Sequence, residues 1–131
     1  MVQRNKLFDT ILYTDGTLII CEDPAHHDAN VTAHGAVVKK YNPKWYATYS
    51  GNDGNQPWYA DNNSILNINV DTEFKLKTGR NLFHNLKKVE TITGLENIDM
   101  SEVTNVSEMF SASPAGPSYN YPLREISGIE Q

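Results

Sequence analysis

The sequence predicts a mainly β protein with minor α (α+β), in which an N-terminal hairpin and small sheet precede a truncated strand–helix unit. Three observations carry that prediction. Asn, Thr, Ser, Asp and Gly are abundant while Ala and Leu are sparse, the balance of strands joined by bends. Asp15-Gly16 separates two β-rich runs. A segment beginning at Val89 returns in outline at Leu123. At 131 residues the chain has the length of one domain, or of one domain with a partial repeat. It can bury a core without disulfide or metal staples.

The elements follow in order. Asp9–Thr14 and Thr17–Cys21 flank Asp15-Gly16, a strong hairpin signal, because glycine accepts the positive φ of a type I′ turn. Glu22 to Asn30 reads as a polar loop, and Gly35 to Lys40 as a third short strand. Residues 41–59 hold six of the 13 aromatics, separated by Pro43, Gly51, Gly54 and Pro57. From Ser64 to Val70 apolar residues fall at 66, 68 and 70, the alternation of a half-buried strand, with Phe74 and Leu76 packing beneath it. Thr78-Gly79-Arg80 reads as a break before a second unit.

After Leu82 the pattern changes. Val89, Ile92, Leu95 and Ile98 recur every third residue, and Met100, Val103, Val106 and Met109 do so again out of step. This suits a chain that turns at Gly94, with a short strand before and a short helix after. Asp99-Met100-Ser101-Glu102 has the form of a capping box, so a helix is expected from about Glu102 to Phe110, ending before Ser113-Pro114. Val89–Asn97 aligns with Leu123–Gln131, with Ile, Gly and Glu identical and the apolar positions kept apolar. The offset of 34 residues lies in the range of solenoid repeats, with the Pro- and Gly-bearing stretch 113–121 lengthening the unit.

The run from Leu86 to Phe110 includes Ile92-Thr93-Gly94-Leu95-Glu96-Asn97 and Val103-Thr104-Asn105-Val106-Ser107-Glu108-Met109-Phe110. It resembles the leucine-rich-repeat unit of BspA-type bacterial surface proteins, with one repeat and part of a second copy. Upstream, Asp15-Gly16-Thr17-Leu18, Trp58, Ile65, Val70-Asp71 and Phe74 resemble the β-rich segment that precedes such repeats. The resemblance implies a β-rich N-terminal unit over 1–80 and a partial leucine-rich-repeat-like unit over 81–131. In that unit Val89–Ile92 and Leu123–Ile126 would lie side by side as parallel strands. Val103, Val106, Met109 and Phe110 would cover them, and Leu95 and Ile98 would complete the core. Asn105 would be a buried amide bonded to neighbouring backbone. Such units leave apolar surface for a neighbour, so the implied partners are other protein chains, as a homo-oligomer or as neighbours in an assembly. Similar repeats occur in phage-encoded proteins.

Lys and Arg number 11 against 16 Asp and Glu, a formal charge of −5. With no basic cluster, this argues against nucleic-acid binding. No apolar run approaches the ~18–20 residues of a membrane span, and the first residues do not lead into the apolar core of a signal peptide. A virion or extracellular surface is the expected setting, with the bacterial cell surface as the alternative. One cysteine, Cys21, forms no disulfide within the chain and is expected to be a passive, buried or semi-buried thiol. Trp45, Tyr46, Tyr49, Trp58 and Tyr59 have two readings. Large aromatics in a β-rich domain usually build the core; exposed, they would form a sugar-stacking or protein-binding platform for a host-surface glycan or protein. His26, His27 and His34 with Asp23, Asp28 and Cys21 would be the ligands of a metal-dependent enzyme, but they lack ligand-pair spacing, and no metal or other cofactor is expected. None of the phosphate-, dinucleotide-, zinc- or serine-nucleophile motifs occurs, so no catalytic residue is assigned. The expected function is a non-enzymatic structural or interaction module. A carbohydrate-binding adhesin is the second reading and a small metal-dependent enzyme the third.

Overall fold

The Asp15-Gly16 hairpin forms as its sequence dictates. A computed structural model describes residues 8–110 and the backbone of 125–126; Leu123 and the stretch 113–121 lie outside the described residues. Strands β1 (Asp9–Tyr13) and β2 (Thr17–Glu22) pair antiparallel. The turn differs in kind from the expected type I′, which needs positive φ at both central residues. Only Gly16 takes positive φ there, at +89°. Its N–H closes on the Tyr13 carbonyl at 3.0 Å, and Asp15 Oδ1 accepts from the Thr17 N–H at 2.9 Å.

The segment expected as a polar loop is instead a 3₁₀ turn, Pro24–His26, that runs into helix α1, His27–His34. The signal was present in Asp23-Pro24: Asp23 accepts from the Ala25 N–H, and Pro24 opens the turn where no N–H is needed. Strand β3 (Val37–Tyr41) then joins the outer side of β1. The aromatic stretch carries a single helical turn, α2 (Trp45–Thr48), and a kinked 3₁₀ segment, Tyr59–Ser64.

Beyond β2 the sheet changes character. Strands β4 (Asn67–Val70), β6 (Thr91–Thr93) and β8 (Glu125–Ile126) all run parallel to β2, in the order β3-β1-β2-β4-β6-β8. Thr91 pairs with Glu125 and Ile92 with Ile126, the offset of the sequence repeat, as expected. A second, shorter offset was not legible beforehand. Asn67 pairs with Thr91, and in a separate two-stranded sheet β5 (Phe74–Lys75) pairs with β7 (Ile98–Asp99). Residues 65–88 and 89–110 are therefore successive coils of one parallel solenoid. Both the main sheet and the main apolar core continue across position 80.

The helix expected over 102–110 is absent, and with it the capping box. Two local effects oppose it. Asp99 Oδ1 accepts from the Ser101 N–H and Asn105 Oδ1 from the Ser107 N–H, closing side-chain turns that compete with helix. The carbonyls of Asn105, Ser107 and Met109 accept from the N–H groups of Gly79, Asn81 and Phe83 in the preceding coil, at 3.0, 3.2 and 2.8 Å. A backbone whose carbonyls bond every second residue to a neighbouring coil cannot also close helical rings. Glu108, at φ +56°, is left-handed as well.

Within the core, Val89, Ile92, Leu95, Ile98 and Met109 are buried, and Val103 and Phe110 pack against them half-buried. Val106 is 53% exposed, so it does not cover the strands. Asn105 is exposed, contrary to expectation, because its amide is spent on its own turn. Buried amides sit elsewhere. Gln56 Nε2 donates to the Asn81 carbonyl at 2.7 Å, and Asn81 Nδ2 donates to the Gly51 carbonyl at 2.9 Å. Together with the Tyr49 hydroxyl on the Arg80 carbonyl, they tie the 49–56 loop to the first coil.

Asn97 adds a side-chain bond between the coils: its Nδ2 donates to the Val70 carbonyl at 2.9 Å. Asn97→Ala leaves that carbonyl short of a partner and is expected to destabilise the chain by about 1 kcal/mol. Urea unfolding should show a lower midpoint with an unchanged slope.

Candidate functional site

The faces of the parallel strands are set by side-chain alternation. Ile68, Val70 and Ile92 turn into the core, while Asn67, Asn69, Thr91 and Thr93 fall on the opposite face and stay half-buried. The strand register places Thr17, Asn67 and Thr91 in one row and Ile19, Asn69 and Thr93 in the next. Across each row the same bond recurs: Thr91 Oγ1 donates to Asn67 Oδ1 at 2.8 Å and Thr93 Oγ1 to Asn69 Oδ1 at 3.2 Å. An amide has one acceptor oxygen and two N–H donors, so these bonds use the oxygens of Asn67 and Asn69 and leave their Nδ2 donors unspent. The result is a neutral, donor-rich surface on a rigid sheet. These four residues were not singled out from the sequence. The signal that could have found them is Asn67-Ile68-Asn69 against Thr91-Ile92-Thr93, a polar–apolar–polar triplet repeated at the coil offset.

One side of this face is bordered by α1. Three histidines on or beside that helix each meet a different carboxylate: His26 Nδ1 and Asp71 at 2.8 Å, His27 Nδ1 and Glu22 at 2.9 Å, His34 Nδ1 and Asp15 at 2.8 Å. An ionised carboxylate only accepts, so each Nδ1 carries a proton and donates. Glu22 is 1% exposed and is further satisfied by the Tyr13 hydroxyl and by Asn30 Nδ2. Burial, with the bond to Glu22, raises the Tyr13 hydroxyl well above the usual phenol range. The three histidines are engaged one by one, and among the described residues no group of three or more His, Cys, Asp or Glu is placed to hold a metal ion. Cys21 is buried, and that burial pushes its thiol up to about 12, so it stays protonated at neutral pH.

The aromatic stretch divides. Trp45, Tyr49 and Trp58 are buried at 4%, 6% and 1% exposure, so the stacking platform is withdrawn for these three in favour of the core reading. Tyr46 and Tyr59 are half-buried, and Tyr46 packs on Phe74. Trp45 meets Trp58 edge-on at 5.0 Å between ring centroids. Trp58 stacks on Phe83 at 6.2 Å, and Phe83 stacks on Phe110 at 5.6 Å. The rings form a spine running from the loop through both coils. Among the described residues no helix is long and apolar enough to cross a membrane. No family model matches this chain, and neither does any curated protein or any solved structure.

Proposed function

We propose that this chain is a non-enzymatic interaction module that holds a neighbouring protein chain in a virion or surface assembly, and that the Asn67–Asn69–Thr91–Thr93 face makes the contact. The observation that carries the reading is the parallel register itself. It lines up neutral side chains in two rows and leaves their amide donors unspent by the bonds along each row. Stacked strand coils use such laterally extended faces for binding. The resemblance of 86–110 to BspA-type leucine-rich repeats supports the same role, and similar phage-encoded repeats make a phage particle the favoured setting. The buried Trp45, Tyr49 and Trp58 offer no stacking surface for a glycan, which ranks the adhesin reading lower.

The test is retention in the native assembly. Asn69→Arg/Thr93→Arg places two charges on the face without touching the core. It breaks the Asn69–Thr93 bond, a loss of about 1 kcal/mol, so it is expected to stay folded but to fall at least about tenfold in purified particles or in the envelope fraction, the loss that ~1.4 kcal/mol of contact energy produces. Quantitative mass spectrometry of both fractions reads the result. Parental retention of the double variant in both fractions overturns the proposal.

A further inference from the structure

Between positions 7 and 38 the chain has no Lys or Arg. It has five carboxylates there, Asp9, Asp15, Glu22, Asp23 and Asp28, and three of its four histidines. Imidazole is thus the only side chain in this stretch that can become a cation. The fold makes use of all three, since each sits against a different carboxylate and together they attach the α1 segment to β2, to the hairpin turn and to the residue after β4. No residue of α1 is buried. Polar bonds to the segment are the three imidazoles, Asn30 on Glu22, the Asp23 N–H on Asp71, the Thr14 hydroxyl on the His34 carbonyl, and the backbone pairs Thr14 N–H to Ala36 carbonyl and Asp15 N–H to His34 carbonyl. Beside it lies a separate sealed cluster, Ile11, Tyr13 and Ile19, and the Tyr13 ring meets the rings of His27 and His34 at 6.3 and 6.0 Å.

We propose that residues 24–34 form a histidine latch, held by three imidazole–carboxylate pairs, tightened by the charge on His26 and loosened as that imidazole discharges, whose release uncovers Ile11, Tyr13 and Ile19. A neutral imidazole keeps its Nδ1–H bond to the carboxylate. A protonated one adds a full charge at the same distance, and charge-assisted hydrogen bonds are roughly twice as strong. The charged and titratable groups facing the segment are Glu22 from β2, Asp15 from the turn, Asp71 after β4 and Tyr13 from β1; Asp23 and Asp28 belong to the segment or its cap. The nearest lysines in sequence, Lys39 and Lys40, are paired with Asp61 and Asp9.

The direction follows from the pairs themselves. His26 is raised by its hydrogen bond to Asp71 and by that carboxylate's charge. Its support is therefore fully present below the ordinary imidazole range and fades as pH climbs through its own higher value. Burial alone would raise Asp15, but hydrogen bonds from His34 and Thr17 outweigh it and hold the carboxyl below the usual carboxylate range. Its support is lost only as pH falls through that lowered value. The latch is thus tightest between the carboxylate and imidazole titrations, from roughly pH 4 to 7.

Amide hydrogen exchange of the whole chain, corrected for the intrinsic pH dependence of exchange, tests it. In the parent chain the α1 amides are expected to be several-fold better protected near pH 5.5 than near pH 8. In His26→Gln/His27→Gln/His34→Gln, whose amides still donate but do not titrate, protection should be the same at both. Equal parental protection at the two pH values overturns the latch. So does a pH response that survives in the triple variant, or one of the same size in β4 and β6. Should the triple variant not fold, His26→Gln, at a side chain 52% exposed, is expected to remove part of the response; an unchanged response overturns the proposal equally.

Discussion

Trp58→Ala is expected to lose about 3–5 kcal/mol, a large share of the ~5–15 kcal/mol that holds a domain of this size together. The ring is 1% exposed and touches Trp45 on one side and Phe83 on the other. Phe83 in turn carries Phe110. Truncation therefore removes the ring that joins the aromatic loop to the coil stack, and the rigid strands around it cannot close the gap. Guanidinium unfolding followed by circular dichroism should show a large fall in midpoint, with the variant partly unfolded before denaturant is added. A loss under about 1 kcal/mol, the ordinary effect of a surface change, would mean the spine does not bind the loop to the solenoid.

Gly94→Ala is the second large effect, and Gly54→Ala separates its causes. Both glycines have positive φ, +81° and +93°, a conformation that costs an L-residue roughly 1–2 kcal/mol. A Cβ on Gly54 meets nothing within 4 Å, whereas one on Gly94 would lie 2.3 Å from the Val70 carbonyl oxygen. That oxygen also accepts the Asn97 amide. The Gly94 variant must push β4 and β6 apart at the point where the coils are stitched. We expect Gly54→Ala to lose about 1 kcal/mol and Gly94→Ala at least about 2 kcal/mol more than that, both read as urea midpoints. Equal losses would show that only the backbone conformation matters at Gly94.

The hairpin, the alternating strand and the pairing of Ile92 with Ile126 were legible in the sequence because each rests on a local rule: a turn residue, a period of two, or a repeated segment; the strand expected over 64–70 forms only over Asn67–Val70, and Leu66 lies exposed before it. What was not legible depends on choices between bonds that compete at similar energy. Asp99 reads as a helix cap and Asn105 as a buried amide, yet in the fold their side chains close turns and the nearby carbonyls bond the previous coil. The coil at 65–88 escaped notice because its kinship with 89–110 lies in spacing; Phe74 stands where Ile98 stands, and Asn67 where Thr91 does. Helix α1 has no apolar stripe, since it buries no residue, so periodicity could not find it and only its cap could. The open polar face was invisible for a related reason. Asn and Thr in strands look like ordinary solvent-facing residues until the register sets them in rows.

The switch from antiparallel to parallel pairing at β2 has a consequence for how the chain reaches its fold. The hairpin closes between neighbours in sequence, so it can form early. Joining β2 to β4 must bring together positions 17 and 67, with α1, β3 and the aromatic stretch in the intervening chain. That step carries the greatest entropy loss and governs the rate. The later pairings close shorter spans, from 67 to 91 and from 91 to 125, against a template already in place. Assembly should therefore proceed in one direction, from the amino-terminal hairpin outward, with the docking of residue 67 on residue 17 as its commitment point.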